Sequence, residues 1–414
     1  MPLELLDPAA ERATDVGGPT ESEFLYTLNF GPQHPATHTT LRLILTLDGE
    51  TIVRAVPDIG FLHSGFEKLG EDLDFNQYVT VVDRMNYISP FANEVSWFHT
   101  VEKLLGIDVT PRCKYLRVIL AELARISDHL LCVAAAALDL GGLTAFFYAF
   151  NEREKIYDIF ESASGQRFHP GYLRVGGMMN DVTDDVVQKV RDFVKTFPKG
   201  HGDLARLLNR NKIFLDRTKG VGVLTRDEAI GRSVTGPVAR ASGVTRDLRK
   251  DEPYLAYPEL QAAWKVVASK GGDCLARYLV RMGEMAESLK IIAAAVENIP
   301  AGPVNVDVEG KVTLPDKTAT YRSIEGLIQH FELFMWNRRI ETPVDEVYGA
   351  TETANGELGF YLVADGSAKA FRARTRPPSF IHFALFPHLI EGHQISDVPA
   401  VLGSLNIIAA ELDR

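Results

Sequence analysis

Cysteine is scarce in this 414-residue chain: Cys113, Cys132 and Cys274 are widely separated and form no CxxC pair. That scarcity excludes a disulfide framework and a cysteine-held zinc or iron–sulfur site carried by the chain itself. Basic residues are also in deficit, with 44 Lys plus Arg against 55 Asp plus Glu and a formal charge of −11. Such a balance argues against a general nucleic-acid binder and against a polybasic membrane anchor. Long hydrophobic runs are missing too. The least polar stretches, 130–138 and 380–390, fall well short of the roughly 20 residues that a spanning helix needs. The start lacks the basic-then-apolar pattern of a signal peptide. The expected location is therefore the cytoplasmic face, with membrane association arising only through partners.

Several common chemistries lack their motifs. Gly220-Val221-Gly222 has no third glycine and follows no clear strand, and Gly231 to Gly236 lacks the Lys-Ser/Thr of a phosphate loop. Binding of a dinucleotide or of ATP is therefore not expected. Neither a Gly-x-Ser-x-Gly elbow nor a His-Glu-x-x-His helix occurs, which leaves hydrolase readings unsupported.

What is present is 46% apolar content, enough for a large core. Residues 1–23 hold six acidic groups against Arg12 alone, a net −5, and read as an acidic tail ordered by a partner. Residues 24–414 read as one α+β domain. A β module over 24–70 holds strands at 24–29, 41–47 and 51–56, the last two joined by Asp48-Gly49-Glu50. A mainly helical region over 71–340 holds helices at 75–105, kinked near Pro90, and at 111–138, 144–164, 184–196 and 273–298, with irregular chain at 220–257. Strands at 347–348, 359–364 and 370–375 and a last helix at 398–410 complete 341–414. The expected architecture is thus a small N-terminal antiparallel sheet, a central bundle of long helices, and C-terminal strands with a helix.

Four places carry candidate chemistry. In Gly31-Pro32-Gln33-His34-Pro35-Ala36-Thr37-His38 two prolines rule out a regular helix, so His34 and His38 sit on a pinned loop rather than forming a helical metal pair. A loop histidine held in this way is either a proton donor or a hydrogen-bonded structural residue. Arg84 and Tyr87 in Asp83-Arg84-Met85-Asn86-Tyr87 share a face if the segment is helical, and could hold negative charge and a carbonyl oxygen. Asp139 lies in an apolar run, where a carboxylate needs a partner: it is a cap or the orienting partner of a histidine. His169 stands in a proline-fixed loop after the third helix. Phe146, Phe147 and Phe150 read as core.

Taken together, the strings GPQHPATH at 31–38, IGFLHSGFEK at 59–68, DRMNY at 83–87, VEKLLGI at 101–107, ALDLGGLTAFFYAFNERE at 137–154, SGQRFHPGYLRVGG at 164–177, GELGFYLVADG at 356–366 and PSF at 378–380 closely resemble one family. That family is the 49-kilodalton quinone-site subunits of respiratory complex I, the proton-pumping NADH:quinone oxidoreductase. The resemblance spans most of 24–414 in order. It implies a fold like the nickel-iron hydrogenase large subunit, although three scattered cysteines cannot supply the two CxxC-type pairs of a true hydrogenase.

By that resemblance His38 and Tyr87 would hold the two carbonyl oxygens of a quinone, with Asp139 paired to His38. Arg84 and His169 would face the terminal 4Fe-4S cluster of an adjacent small subunit without ligating it, and no cofactor would be bound by this chain. Implied partners are that small subunit, a 30-kilodalton-type subunit, a ferredoxin-like subunit and the membrane subunit at the quinone channel, on the cytoplasmic face of the cell membrane or the matrix side in a mitochondrion. Residues 260–270, Arg246 and Ser64 depart from the family pattern. A ferredoxin-dependent relative of the complex and a docking subunit with a decayed site are the alternatives.

Overall fold

The computed structural model describes residues 25–38, 40–306, 312, 314–335 and 340–414. The acidic tail at 1–23 lies outside the described residues. Three strands, β1 (Leu25–Phe30), β2 (Arg42–Asp48) and β3 (Thr51–Asp58), form an antiparallel sheet in the order β1-β2-β3. Leu43, Leu45 and Leu47 alternate inward along β2 and are each 0% exposed, the period-two pattern of a half-buried strand. Each such leucine contributes about 1.5–3 kcal/mol by leaving water. With Phe386, Leu389, Val401 and Leu405 they form one of two large apolar clusters.

The other cluster is organised by long helices: α1 (Pro90–Leu105), α2 (Pro111–Asp139), α3 (Leu143–Ser164), α4 (Asp184–Leu208) and α5 (Cys274–Glu297). α2 is the central one, packed against α1, α3 and α5. Its start follows from sequence, since Thr110 accepts the Cys113 N–H at 3.3 Å and Pro111 occupies the first turn. Asp273 caps α5 in the same way, accepting from Ala276 N–H at 2.7 Å. After the two-residue strands β4 (Leu173–Arg174) and β5 (Gly177–Met178), a second three-stranded sheet, β6 (Val344–Glu352), β7 (Glu357–Asp365) and β8 (Ala370–Arg376), covers α1.

Six expectations need correction. The helix expected over 75–105 begins only at Pro90. Upstream lie a four-residue helix, Val79–Val82, and turns over 83–88. Asn93 Nδ2 takes the carbonyls of Val82 (3.1 Å) and Asn86 (3.0 Å), so side-chain bonds replace the helical ladder there. Arg84 and Tyr87 thus do not share a helical face. α4 runs to Leu208, through Pro198, because its stripe Phe193, Phe197, Leu204 and Leu208 is buried and that packing outweighs the lost hydrogen bond.

The stretch 220–257 is not wholly irregular but carries short helices at Arg226–Gly231, Gly236–Ala241 and Leu248–Asp251. The last helix is split into α6 (Val398–Leu405) and α7 (Ala409–Asp413) by Asn406 at φ 56°. Phe147 is 61% exposed rather than core, while Phe146 and Phe150 stack at 4.2 Å.

Candidate functional site

The prolines do pin the 31–38 loop, which makes a single 3-10 turn at Pro35–Thr37. The two histidines then part in role. His34 caps that turn, its Nδ1 accepting the Ala36 N–H at 3.2 Å, and stacks on Phe30 with centroids 4.0 Å apart. His38 follows the turn at φ 56°, and this left-handed residue turns its ring toward the end of α2. There Nε2 of His38 lies 2.6 Å from Oδ2 of Asp139, with the side chains 31% and 11% exposed. No donor is aligned on Oδ2 by hydrogen-bond geometry. The approach is therefore a close polar contact rather than a linear hydrogen bond.

Asp139 closes α2. The negative end of a helix dipole is the unfavourable end for a carboxylate, and the His38 ring stands beside it. On the other side of the ring Gly403 of α6 has no side chain, and a methyl there would lie 3.9 Å from His38 Cε1 and 3.4 Å from Ala136 Cβ. The ring is thus packed between α2 and α6.

Tyr87 is half-buried against the main core. Its neighbour Asn86 donates to Asp128 Oδ2 at 3.0 Å, and Asn406 donates to Asp128 Oδ1 at 2.6 Å. Asp128 and Asp139 stand 11 residues apart on α2, just over three turns and about 16 Å along one face. One helix therefore registers both the Tyr87 arm and the His38 contact.

Arg84 is exposed and donates to the Thr80 carbonyl. His169, at φ 51°, places Nδ1 3.2 Å from the Asp83 carbonyl oxygen. A carbonyl only accepts, so Nδ1 carries the proton and the neutral ring keeps its lone pair on Nε2. Burial, and then the Arg84 charge, push the His169 pKa down. The structure thus joins His38 with Asp139, and seats His169 on the backbone of Asp83, the chain neighbour of Arg84.

Sequence reading missed other polar groups on the same elements. Glu94 and Asp128 stand in the apolar runs PFANEVSWF and RISDHLL, and an acid in such a run was the available signal. Glu122, Arg125 and His129 of α2 join a buried net. Arg249 meets Glu122 (3.1 Å) and Asp247 (2.7 Å). Arg240 meets Glu284 and Glu352 (2.7 Å each), and His129 meets Glu284 (2.9 Å). Burial keeps His129 below its usual range, so a neutral imidazole N–H donates to the Glu284 carboxylate. The three thiols are buried and free. Among the described residues no helix is long and apolar enough to cross a membrane.

Known proteins align with this architecture across nearly its whole length. Residues 139–414 match the model of the respiratory-chain NADH dehydrogenase 49 Kd subunit. A chain of Methylacidiphilum infernorum named as the D-type subunit of NADH-quinone oxidoreductase is 43% identical over 414 residues, covering 100% of this chain and 98% of its own. The D-type subunit of Geotalea uraniireducens is 46% identical over 391 residues, 94% of this chain and 99% of its own. A D-type subunit of Rhizobium meliloti, the one numbered 2, is 44% identical over 387 residues, 94% and 95% respectively. With that coverage and identity, the chain belongs to the 49 kDa family of respiratory-chain NADH dehydrogenase subunits, the D-type subunits of NADH-quinone oxidoreductase.

Proposed function

We propose that this chain forms the quinone head-group site of a proton-pumping NADH:quinone oxidoreductase. The observation that carries the reading is the His38–Asp139 contact of 2.6 Å at the end of α2, in a chain of this family. Reduction of a quinone adds two electrons and two protons, and charge developing on its oxygens requires donors already in place. The Tyr87 hydroxyl and the His38 ring supply them. Asp139 holds the His38 ring through charge, so loss of the histidine proton leaves a carboxylate at the helix end with its partner neutral. That change of charge is the step that couples quinone reduction to proton translocation elsewhere in the complex.

Electrons arrive from a 4Fe-4S cluster held by the cysteines of a small neighbouring subunit, since the thiols of this chain are buried and separate. His169 and Arg84 present a lone pair and a positive charge toward that partner. The further partners are the 30-kilodalton-type, ferredoxin-like and membrane subunits, with the chain peripheral on the cytoplasmic face.

Tyr87→Phe keeps the ring and deletes the donor, and His38→Ala deletes the other. In assembled membranes each should lower quinone reduction by roughly 10- to 1000-fold while leaving electron transfer to an artificial acceptor at the flavin unchanged. Parental quinone reduction by both variants would remove the pocket from these residues.

A further inference from the structure

Asp83 and Glu94 are buried carboxyl groups, 1% and 0% exposed, that the quinone reading does not use. Glu94 accepts the backbone N–H of Tyr172 at 3.0 Å and of Leu173 at 2.6 Å. Asp83 Oδ2 accepts the N–H of Gly171 at 2.8 Å, and the Asp83 carbonyl meets His169 Nδ1 at 3.2 Å. Every anchor of the 169–173 arm named here thus ends on one of these two residues. Their N–H donors are consecutive, Gly171 for Asp83 and Tyr172 and Leu173 for Glu94, which places the two carboxyls at one short stretch of chain. Two carboxylates offer only lone pairs, so a bond between them needs a proton on one of them. Asp83 Oδ1, fully buried, has no hydrogen-bond partner, and a proton shared with Glu94 would satisfy it.

We propose that Asp83 and Glu94 hold one proton between them and act as positioning residues, clamping the arm that carries Arg84 and Tyr87 onto the arm that carries His169. Arg84 faces the pair from its own arm, Arg174 from β4, Arg117 from α2 and Tyr172 from the clamped arm, beside His169. These cations hold one negative charge on the pair but do not neutralise a second carboxylate in so dry a place. Burial pushes Asp83 up to about 6, and burial together with the Asp83 charge pushes Glu94 well above the carboxylate range. The pair titrates as a unit. Near neutrality it carries one proton and one negative charge; below about 6 it takes a second proton and loses that charge. The field at His169 changes with it.

Hydrogen exchange at the amides of Gly171, Tyr172 and Leu173 in the assembled complex tests the clamp. Asp83→Ala should speed exchange at Gly171 by roughly 10- to 100-fold, the loss of one hydrogen bond to a charged acceptor. The double variant Asp83→Asn, Glu94→Gln retains acceptors for all three N–H groups and an N–H to bridge the pair, so protection should stay within about 3-fold of the parent. The parent should show a step in exchange, corrected for intrinsic rate, between pH 5 and 7, and the double variant should lack it. Parental protection in Asp83→Ala, or a shared pH step in parent and double variant, would overturn the proposal. If Asp83→Ala does not assemble, the pH comparison decides alone.

The clamp rests on the quinone-site reading only for its consequence, that the potential of the neighbouring cluster loses part of its pH dependence in the double variant. An unchanged potential beside altered amide exchange would sink that reading of His169 and leave the clamp standing.

Discussion

At its middle α2 carries Glu122, Arg125 and His129, each at most 1% exposed, whereas its last residue, Asp139, meets a His38 ring whose side chain is 31% exposed. The inner groups are bonded to Arg249, Tyr257 and Glu284, the last of which also holds Arg240. There charge is fixed by charge, and no proton can be exchanged without breaking several bonds at once. At the end of α2 a single close contact joins a part-exposed His38 ring to an Asp139 whose Oδ2 is buried. The dry net fixes the shape of the bundle, whereas the end of α2 is held by far fewer bonds. The acid pair Asp83–Glu94 is intermediate, buried and anchored by backbone N–H groups rather than by ion pairs.

The largest effect should come from breaking the dry net. Glu284→Leu removes the carboxylate that Arg240 shares with His129, leaving Arg240 with Glu352, and should destabilise the chain by about 3–5 kcal/mol. Thermal unfolding and the yield of assembled complex measure it; a loss below about 1 kcal/mol would mean that the net is replaceable.

Glu411 sharpens the comparison, being fully buried with its Ser379 and Asn355 partners but no cation among its main influences. Burial pushes its pKa up to about 7, with the Asp128 charge adding to the rise. Because the folded value lies above the unfolded one, its contribution to stability is complete below about 4.5 and lost as pH rises through about 7. Glu411→Gln should remove up to about 3 kcal/mol of that pH dependence. Stability profiles between pH 4 and 8 that are parallel in parent and variant would refute it.

Asp139→Asn should have the smallest effect on folding, within about 1 kcal/mol, since the contact is partly wet. It should nevertheless depress quinone reduction. Equal losses of stability and rate would place Asp139 with the inner net.

Local signals in the sequence located the helices with side-chain caps, α2 and α5, and the hairpin between β2 and β3. They failed where tertiary contacts decide. Pro198 argues for a helix end, and only the buried stripe on α4 overrides it. The 83–88 turns depend on Asn93, a residue of the following helix, reaching back for two carbonyls. Strand β6 was legible only at 347–348, because the polar start of Val344–Glu352 becomes strand by pairing with β7.

At the site, the residues around Asp139 demanded a partner without naming it; His38 lies 101 positions upstream. The family resemblance implied that pairing, and the folded chain brings the two side chains into contact. Glu94 stands in an apolar run that signals a partnered acid, but its partners, like that of Asp83, are backbone N–H groups, to which no residue type points.

Because Asp128 and Asp139 are read off one uninterrupted helix, that segment is intolerant of changes in length. One residue inserted between them would turn Asp139 about 100° away from His38 and shift it about 1.5 Å, although every local propensity would be satisfied. Seven inserted residues would restore the direction but displace the carboxylate by about 10 Å. Substitutions in this stretch can be absorbed by repacking, but insertions and deletions cannot. The spacing of these two aspartates therefore behaves as a ruler.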